Sequence, residues 1–132
     1  TDLQAFLGIR QIKKANWAAT QRNKNHIHYA ENLKGRFKFQ DWGENFPVSI
    51  SFGAMADSTA HRKEIVTRLV EGGVETRIFS AGNLGRHPFW SEKYGTFDDK
   101  VSDQIHSCGF FLPNYPELTS EEIGTICQIV KG

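Results

Sequence analysis

Apolar positions along the chain follow two periods. At its head Leu3, Phe6, Leu7, Ile12, Ala15, Ala19, Tyr29 and Leu33 recur mostly three or four residues apart, which predicts one long helix. Its first residues, Thr1-Asp2-Leu3-Gln4, have the capping-box form, in which Thr1 caps the Gln4 amide and Gln4 reaches back. Gly35 supplies a stop signal. Unbroken, such a helix would run about 50 Å at 1.5 Å per residue. A compact domain of this length has a radius of gyration of only about 14 Å. The expectation is therefore a bridging helix over residues 1–35 that packs on a second domain or a partner subunit, and a small domain over residues 36–132.

The second period is two. Phe37 and Phe39 alternate in R-F-K-F-Q-D-W, suggesting a short edge strand or extended arm, and V-S-I-S-F over 48–52 reads as a strand with one wet face. Asp57, Ser58 or Thr59 then caps a helix to about Glu71, striped by Ile65, Val66, Leu69 and Val70 and closed by Gly72-Gly73. Val74 to Phe79 is a further strand, so the order is strand, helix, strand, a βαβ unit with an expected right-handed crossover. Phe89, Trp90 and Tyr94 read as anchors under a lid-like segment. Asp98 or Asp99 caps a short helix through Ile105 that Gly109 ends, and Phe110-Phe111-Leu112 is a buried strand. Thr119 to Glu122 is a second capping box, with Leu118 and Ile123 as its hydrophobic staple and Ile123, Ile126, Cys127 and Val130 on the buried face. The predicted class is α+β: a three- or four-stranded, mostly antiparallel sheet with helices on one face.

Composition narrows the function. A net charge of +1 leaves no electrostatic footprint for nucleic acid or an anionic membrane surface. No apolar run approaches the ~20 residues of a membrane span. Cys108 and Cys127 lack metal-ligand spacing and read as reduced thiols of a cytoplasmic protein. His26 and His28 are two apart and face different ways on a helix, a poor metal pair, so no metal site is expected. Arg10, Lys13, Lys14, Arg22 and Lys24 are explained equally well by a solvated helix face and by a ligand.

The stretch V-E-T-R-I-F-S-A-G-N-L-G-R-H-P-F, residues 74–89, concentrates the candidate chemistry. After the strand, Gly82 and Gly85 allow positive φ and close backbone approach, and Asn83, Arg86 and His87 gather around them. Such a loop suits an anionic or hydroxyl-rich ligand. Ordinary turn chemistry accounts for the spacing equally well.

Beyond periodicity, T-D-L-Q-A at the head of the long helix, G-V-E-T-R followed by A-G-N-L-G-R-H-P, and G-F-F-L-P-N-Y-P-E-L-T-S-E-E-I resemble the DegT/DnrJ/EryC1/StrS family of sugar-nucleotide aminotransferases. The A-G-N loop resembles a subgroup that includes 3-dehydrases of nucleotide-linked 4-keto-6-deoxy sugars. The similarity runs over nearly the whole chain and is weakest between Gly35 and Ala56. It implies the small C-terminal domain of a fold-type-I enzyme that uses pyridoxal phosphate (PLP) or pyridoxamine phosphate (PMP), a large domain outside this chain, and a homodimer. The Schiff-base lysine, or the histidine that replaces it in dehydrases, would lie before T-D-L-Q, so no catalytic residue is expected here and the isolated chain should be inactive. The resemblance puts the candidate substrate-binding residues at Gly82, Asn83, Arg86 and His87. Arg77 reads as a ligand contact or as a structural partner for a carboxylate. Pro113 departs from the subgroup's pattern before Asn114. The competing expectation is a stand-alone α+β binding or dimerisation module.

Overall fold

The structure, a computed structural model, describes residues 1–132. The predicted long helix is two helices, α1 (Asp2–Ile12) and α2 (Ala15–Leu33). At the junction ψ drifts to −5° at Lys14, whose N–H donates three residues back to the Gln11 carbonyl at 2.9 Å rather than four. Both reciprocal bonds of the Thr1 capping box form. No residue of α1 is buried, and Leu3, Phe6, Leu7, Ile9 and Ile12 are between 51% and 72% exposed. The second half of α2 is part of the core, through Tyr29, Ala30 and Leu33. The overhang thus belongs to α1 and the first turns of α2.

The sheet has three strands in the order β1 (Ser51–Met55), β3 (Gly109–Pro113), β2 (Arg77–Ile78), and both outer strands run antiparallel to β3. Phe52 pairs with Leu112, and Ala54 and Ile78 both lie opposite Phe110. β1 and β2 are parallel, as the βαβ reading requires, but they are not neighbours, because β3 lies between them. The first strand is also displaced from V-S-I-S-F. Ser49 and Ile50 give their carbonyls to the Arg22 guanidinium, at 3.2 and 2.9 Å, instead of to a ladder, which leaves Ile50 exposed and starts pairing at Ser51. The extended arm contributes a single bridge, Lys38 to Met55.

Helix α3 (Thr59–Glu71) is capped by Ser58, whose hydroxyl accepts from the His61 N–H at 3.1 Å. It closes with Gly73 at φ +72°, where the Gly73 and Val74 amides donate to Val70 and Leu69. This exit needs a left-handed residue, which glycine adopts freely. It also takes Val74 out of the second strand, whose ladder is reduced to Arg77 and Ile78. Thr76 reaches the sheet through its hydroxyl, which donates to the Phe111 carbonyl at 2.8 Å.

Helix α6 (Ser120–Lys131) carries the expected capping box at Thr119, and Leu118 and Ile123 are both buried. Phe52, Phe110 and Leu112 of the sheet pack with Tyr29 and Leu33, Ile65 and Leu69, and Ile126, Cys127 and Val130 in one core. Each fully buried apolar side chain contributes about 1.5–3 kcal/mol, which fixes the sheet against α2, α3 and α6. On the opposite face the Phe79 ring covers the strands, 4.4 Å from the Phe111 ring and tight against Gly53 and Gly109.

The lid-like segment is built differently from expectation. Phe89, Trp90 and Tyr94 lie on α4 (Pro88–Tyr94) and are 63%, 37% and 62% exposed, so they do not anchor it to this core. The next helix, α5 (Lys100–Cys108), is capped by Asp99, whose carboxylate accepts from the Ser102 N–H at 2.8 Å. That bond holds the Asp99 carboxyl below its usual pKa. α5 runs to Cys108, past Ile105, and delivers Asp103 and His106 to the loop after β2.

Candidate functional site

The loop after Phe79 is a compact turn with two residues at positive φ. Ser80 sits at +27° and Gly82 at +62°, and the Gly82 amide donates to the Phe79 carbonyl at 2.7 Å. A Cβ at Gly82 would collide with the His106 imidazole, so backbone conformation and close approach both call for glycine there. A 3-10 turn over Leu84–Arg86 follows.

Asn83 is the buried hub of this turn, only 3% exposed. Its side-chain NH2 donates to the Phe97 carbonyl at 3.1 Å and to Asp103 Oδ1 at 2.7 Å, and its Oδ1 accepts from the buried Gly85 amide at 2.9 Å. Both amide donors are therefore spent inside the protein, and Asn83 as placed shapes the loop. Its backbone amide donates to His106 Nδ1 at 3.2 Å. Arg86 shares the Asp103 carboxylate, donating from Nε at 2.8 Å, and lies 3.8 Å from Asp98. With Nε held, Nη2 3.8 Å from Asp98 and the side chain 43% exposed, Nη1 and the outer edge of the guanidinium are left for a ligand. His87 Nε2 lies 2.6 Å from the Ala81 carbonyl, which makes that nitrogen the donor and closes the loop from its other end.

Gly82, Asn83, Arg86 and His87 therefore form one cluster. Arg77 stands apart on the edge strand, its guanidinium paired at 2.7 Å with Glu75, both side chains more than three-quarters exposed. A cleft of about 440 Å³ opens beside the cluster between Gly82, Asn83, Trp90, Phe97 and Ser102. Sequence reading did not single out Asp103 and His106. Their one signal is spacing: three apart on a helix, they face the same way.

A second polar cluster, also unforeseen, ties α2 to the chain just before β1 and just after β3. Arg22 donates to the Asn114 carbonyl at 2.7 Å as well as to residues 49 and 50. Asn114, 1% exposed, donates to the Ser49 carbonyl at 2.9 Å and to the Arg22 carbonyl at 3.3 Å. His26 Nδ1 meets the Ser49 hydroxyl at 2.9 Å, and burial beside Trp42 and Phe52 lowers its pKa. These bonds give Asn114 and Arg22 structural work. No three His, Cys, Asp or Glu side chains converge as metal ligands.

A three-stranded antiparallel sheet with helices on one face and a glycine-hinged loop at a strand end defines an α+β domain of the kind found in solved PLP-dependent sugar aminotransferases and dehydratases. It superposes on the apo form of Spr1654 from Streptococcus pneumoniae, a putative sugar aminotransferase, with a TM-score of 0.86 at 18% identity, covering 99% of this chain and 34% of that one. The E. coli GDP-4-keto-6-deoxy-D-mannose-3-dehydratase with bound hydrated PLP gives 0.81 at 21% identity, over 93% of this chain and 33% of that one. The chain belongs to the DegT/DnrJ/EryC1/StrS aminotransferase family, whose model matches residues 1–131. Among curated relatives, the lipopolysaccharide biosynthesis protein RfbH of Salmonella typhimurium (strain LT2) is 28% identical over 93% of this chain and 30% of its own length. The dTDP-4-dehydro-2,6-dideoxy-D-glucose 3-dehydratase of Saccharopolyspora spinosa is 26% identical over 98% of this chain and 30% of its length. The chain spans about a third of the proteins it matches.

The residues present do not by themselves compose a PLP site. Eight of the nine lysines are exposed and Lys131 is half-buried, so none sits in an enclosure that would favour a neutral amine. The donors of the Asn83 amide are consumed internally. What this chain can offer a ligand is the free edge of Arg86, the backbone of the turn and the adjoining cleft.

Proposed function

We propose that this chain is the C-terminal part of a PLP- or PMP-dependent enzyme acting on nucleotide-linked keto-deoxy sugars, by amino transfer or 3-dehydration, in polysaccharide or lipopolysaccharide sugar biosynthesis. The observation that carries this reading is the family match over residues 1–131 to about a third of relatives named as nucleotide-sugar 3-dehydratases and a lipopolysaccharide biosynthesis protein. The loop of Gly82, Asn83, Arg86 and His87 then forms one wall of the substrate pocket. Arg86 supplies the cationic contact to a diphosphate or sugar oxygen, and Asn83 sets the wall's shape. Arg77, paired with Glu75 on the sheet edge, joins the wall only if the missing large domain or a partner subunit reaches that edge. The cofactor supplies the electron sink for chemistry at the sugar carbons. Catalytic groups lie outside this chain, so the isolated 132 residues are inactive. The enzyme works in the cytoplasm, consistent with two buried free thiols, Cys108 and Cys127.

The test uses the full-length product that contains these residues, incubated with PLP or PMP and dTDP- or GDP-linked 4-keto-6-deoxy sugars. Gain of an amino group or loss of water, read by mass, supports the reading. Removing a charged hydrogen bond to the substrate costs about 1.5–3 kcal/mol, so Arg86→Ala should raise KM roughly tenfold to a hundredfold. No conversion of any such sugar, or an unchanged KM, counts against it.

The exposed stripe of α1 fits the same proposal: Leu3, Phe6, Leu7 and Ile12 pack on the missing large domain or across a homodimer. The 132-residue chain alone should then self-associate, and Phe6→Glu with Leu7→Glu should return it to monomer in sedimentation.

A further inference from the structure

His106 is not part of any function assigned so far. Its imidazole is half-buried at the inner side of the turn, where Nδ1 accepts the backbone N–H of Asn83 at 3.2 Å. To accept, Nδ1 must carry a lone pair, so the ring is neutral with its proton on Nε2. Nε2 makes no hydrogen bond within the protein and is not among the buried orphaned atoms, so it faces solvent. Gly82 lies against the same ring, leaving no room for the imidazole to move past the backbone.

We propose that His106 is a positioning residue: neutral, it holds the Gly82–Arg86 turn closed, and protonated, it releases the turn. Adding a proton to Nδ1 turns the acceptor into a donor, so that two N–H groups face each other at the contact. The Asn83 amide then has no partner while the side-chain bonds of Asn83 and Arg86 to Asp103 remain. The turn therefore loosens at its N-terminal half and stays tethered at its other end.

The surrounding charges do not bypass this contact. On its own helix, Asp103 is occupied by Arg86 and Asn83, and Asp99 by the Ser102 amide. From the loop come Arg86, bound to Asp103, and His87, bound to the Ala81 carbonyl. Helix α3, packed against α5, carries His61, Arg62, Lys63, Glu64, Arg68 and Glu71; His61 pairs with Asp57, Arg68 donates to the Ile129 and Val130 carbonyls, and none of the six bonds to the imidazole. β3 brings no titratable group.

The consequence for substrate binding rests on the loop being a pocket wall, as proposed above; the clamp itself does not. The clamp is tested on the 132-residue chain by following the Asn83 amide in 1H–15N spectra and hydrogen exchange from about pH 5 to about pH 8. Its resonance should move, and its intrinsic-rate-corrected exchange quicken about fivefold, with the same midpoint as the His106 ring protons. His106→Asn puts an oxygen at the position of Nδ1 and keeps the acceptor without the titration. In that variant the Asn83 amide should stay at its neutral-form position throughout. An Asn83 amide indifferent to the His106 titration, or one that titrates equally in His106→Asn, overturns the proposal. Should the variant not fold, the wild-type titration alone decides. In the full-length enzyme, KM for the nucleotide sugar should rise as pH falls through that midpoint, and His106→Asn should flatten the rise. Amide coupling without any such KM effect would leave the clamp standing and sink the pocket-wall reading.

Discussion

Replacing Asn83 with alanine removes three hydrogen bonds at once: to the Phe97 carbonyl at 3.1 Å, to Asp103 at 2.7 Å, and from the Gly85 amide at 2.9 Å. The costs differ in kind. The Gly85 amide is buried, and losing its acceptor costs about 1–3 kcal/mol. The bond to the Asp103 carboxylate is charge-assisted and of similar size, about 1.5–3 kcal/mol, although Arg86 still satisfies that oxygen. These terms share one network and do not add in full. A net loss of roughly 3 kcal/mol is expected, a large part of the ~5–15 kcal/mol that holds a domain of this size. Urea unfolding followed by far-UV dichroism measures it. Asn83→Asp sharpens the test, because it sets a second carboxylate 2.7 Å from Asp103. The pair resists double ionisation, so the folded state raises the carboxyl pKa above its unfolded value. The penalty is therefore full at neutral pH and is relieved as pH falls through that raised folded pKa. At pH near 7 the order of stability should be wild type, then Asn83→Ala, then Asn83→Asp, with the last two converging in acid. A loss below about 0.5 kcal/mol for the alanine, the range of ordinary surface changes, would show that water replaces the amide and that Asn83 is no hub. An Asn83→Asp variant as stable as wild type would refute the charge argument.

Three further outcomes follow from the packing and the caps. Gly109 has ordinary extended angles, φ −77° and ψ 144°, so Gly109→Ala acts by space alone: its Cβ lands in the Phe79 ring and 2.6 Å from the Ile105 carbonyl. The ring must leave the sheet, at about 1–3 kcal/mol, and adding Phe79→Ala should recover part of the loss in the same unfolding assay. The Tyr29 hydroxyl is buried without a partner, and burial raises its pKa far above the usual phenol range. Tyr29→Phe should thus be neutral or stabilising by up to about 1 kcal/mol, whereas Tyr29→Ala should cost about 3–5 kcal/mol. Glu122 is held below its ordinary 4.5 by the Thr119 amide and hydroxyl. A depressed folded pKa stabilises above the unfolded value and loses that stabilisation as pH falls through the folded one, so acid should weaken the start of α6 and Glu122→Gln should flatten that dependence in thermal melts.

What could be read from the sequence was whatever rests on neighbours in the chain. The caps at Thr1, Ser58, Asp99 and Thr119, the stops at Gly72-Gly73, and the buried face of α6 depend on residues within one or two turns, and all stand in the structure. The misjudged features depend on distant partners. Val48 and Ile50 alternate as a strand does, but Arg22, 27 and 28 residues earlier than Ser49 and Ile50, takes the carbonyls their ladder would have used. The place of β3 between β1 and β2 is a matter of long-range pairing that period-two patterning does not encode. Phe89 and Tyr94 look like core residues because aromatics usually bury themselves, yet they stand largely exposed. The same distinction governs the site. Gly82, Asn83, Arg86 and His87 lie in one run and were candidates by motif; Asp103 and His106, about 20 residues on, are joined to them only by folding.

That separation bears on how the loop can serve a ligand. A turn with a non-glycine residue at positive φ, Ser80 at +27°, stores backbone strain and persists only where its surroundings over-determine it. Here α5 does so from three directions: Asp103 fixes the Asn83 side chain and Arg86 Nε, and His106 fixes the Asn83 backbone. An arginine so held loses little freedom when it meets a ligand, and the entropy of ordering a long side chain is a main cost of binding. The amide in the A-G-N motif therefore matters because it fits the motif to the helix behind it. Under the function proposed above, Arg86, 43% exposed and held at Nε, is the group the loop turns toward a substrate.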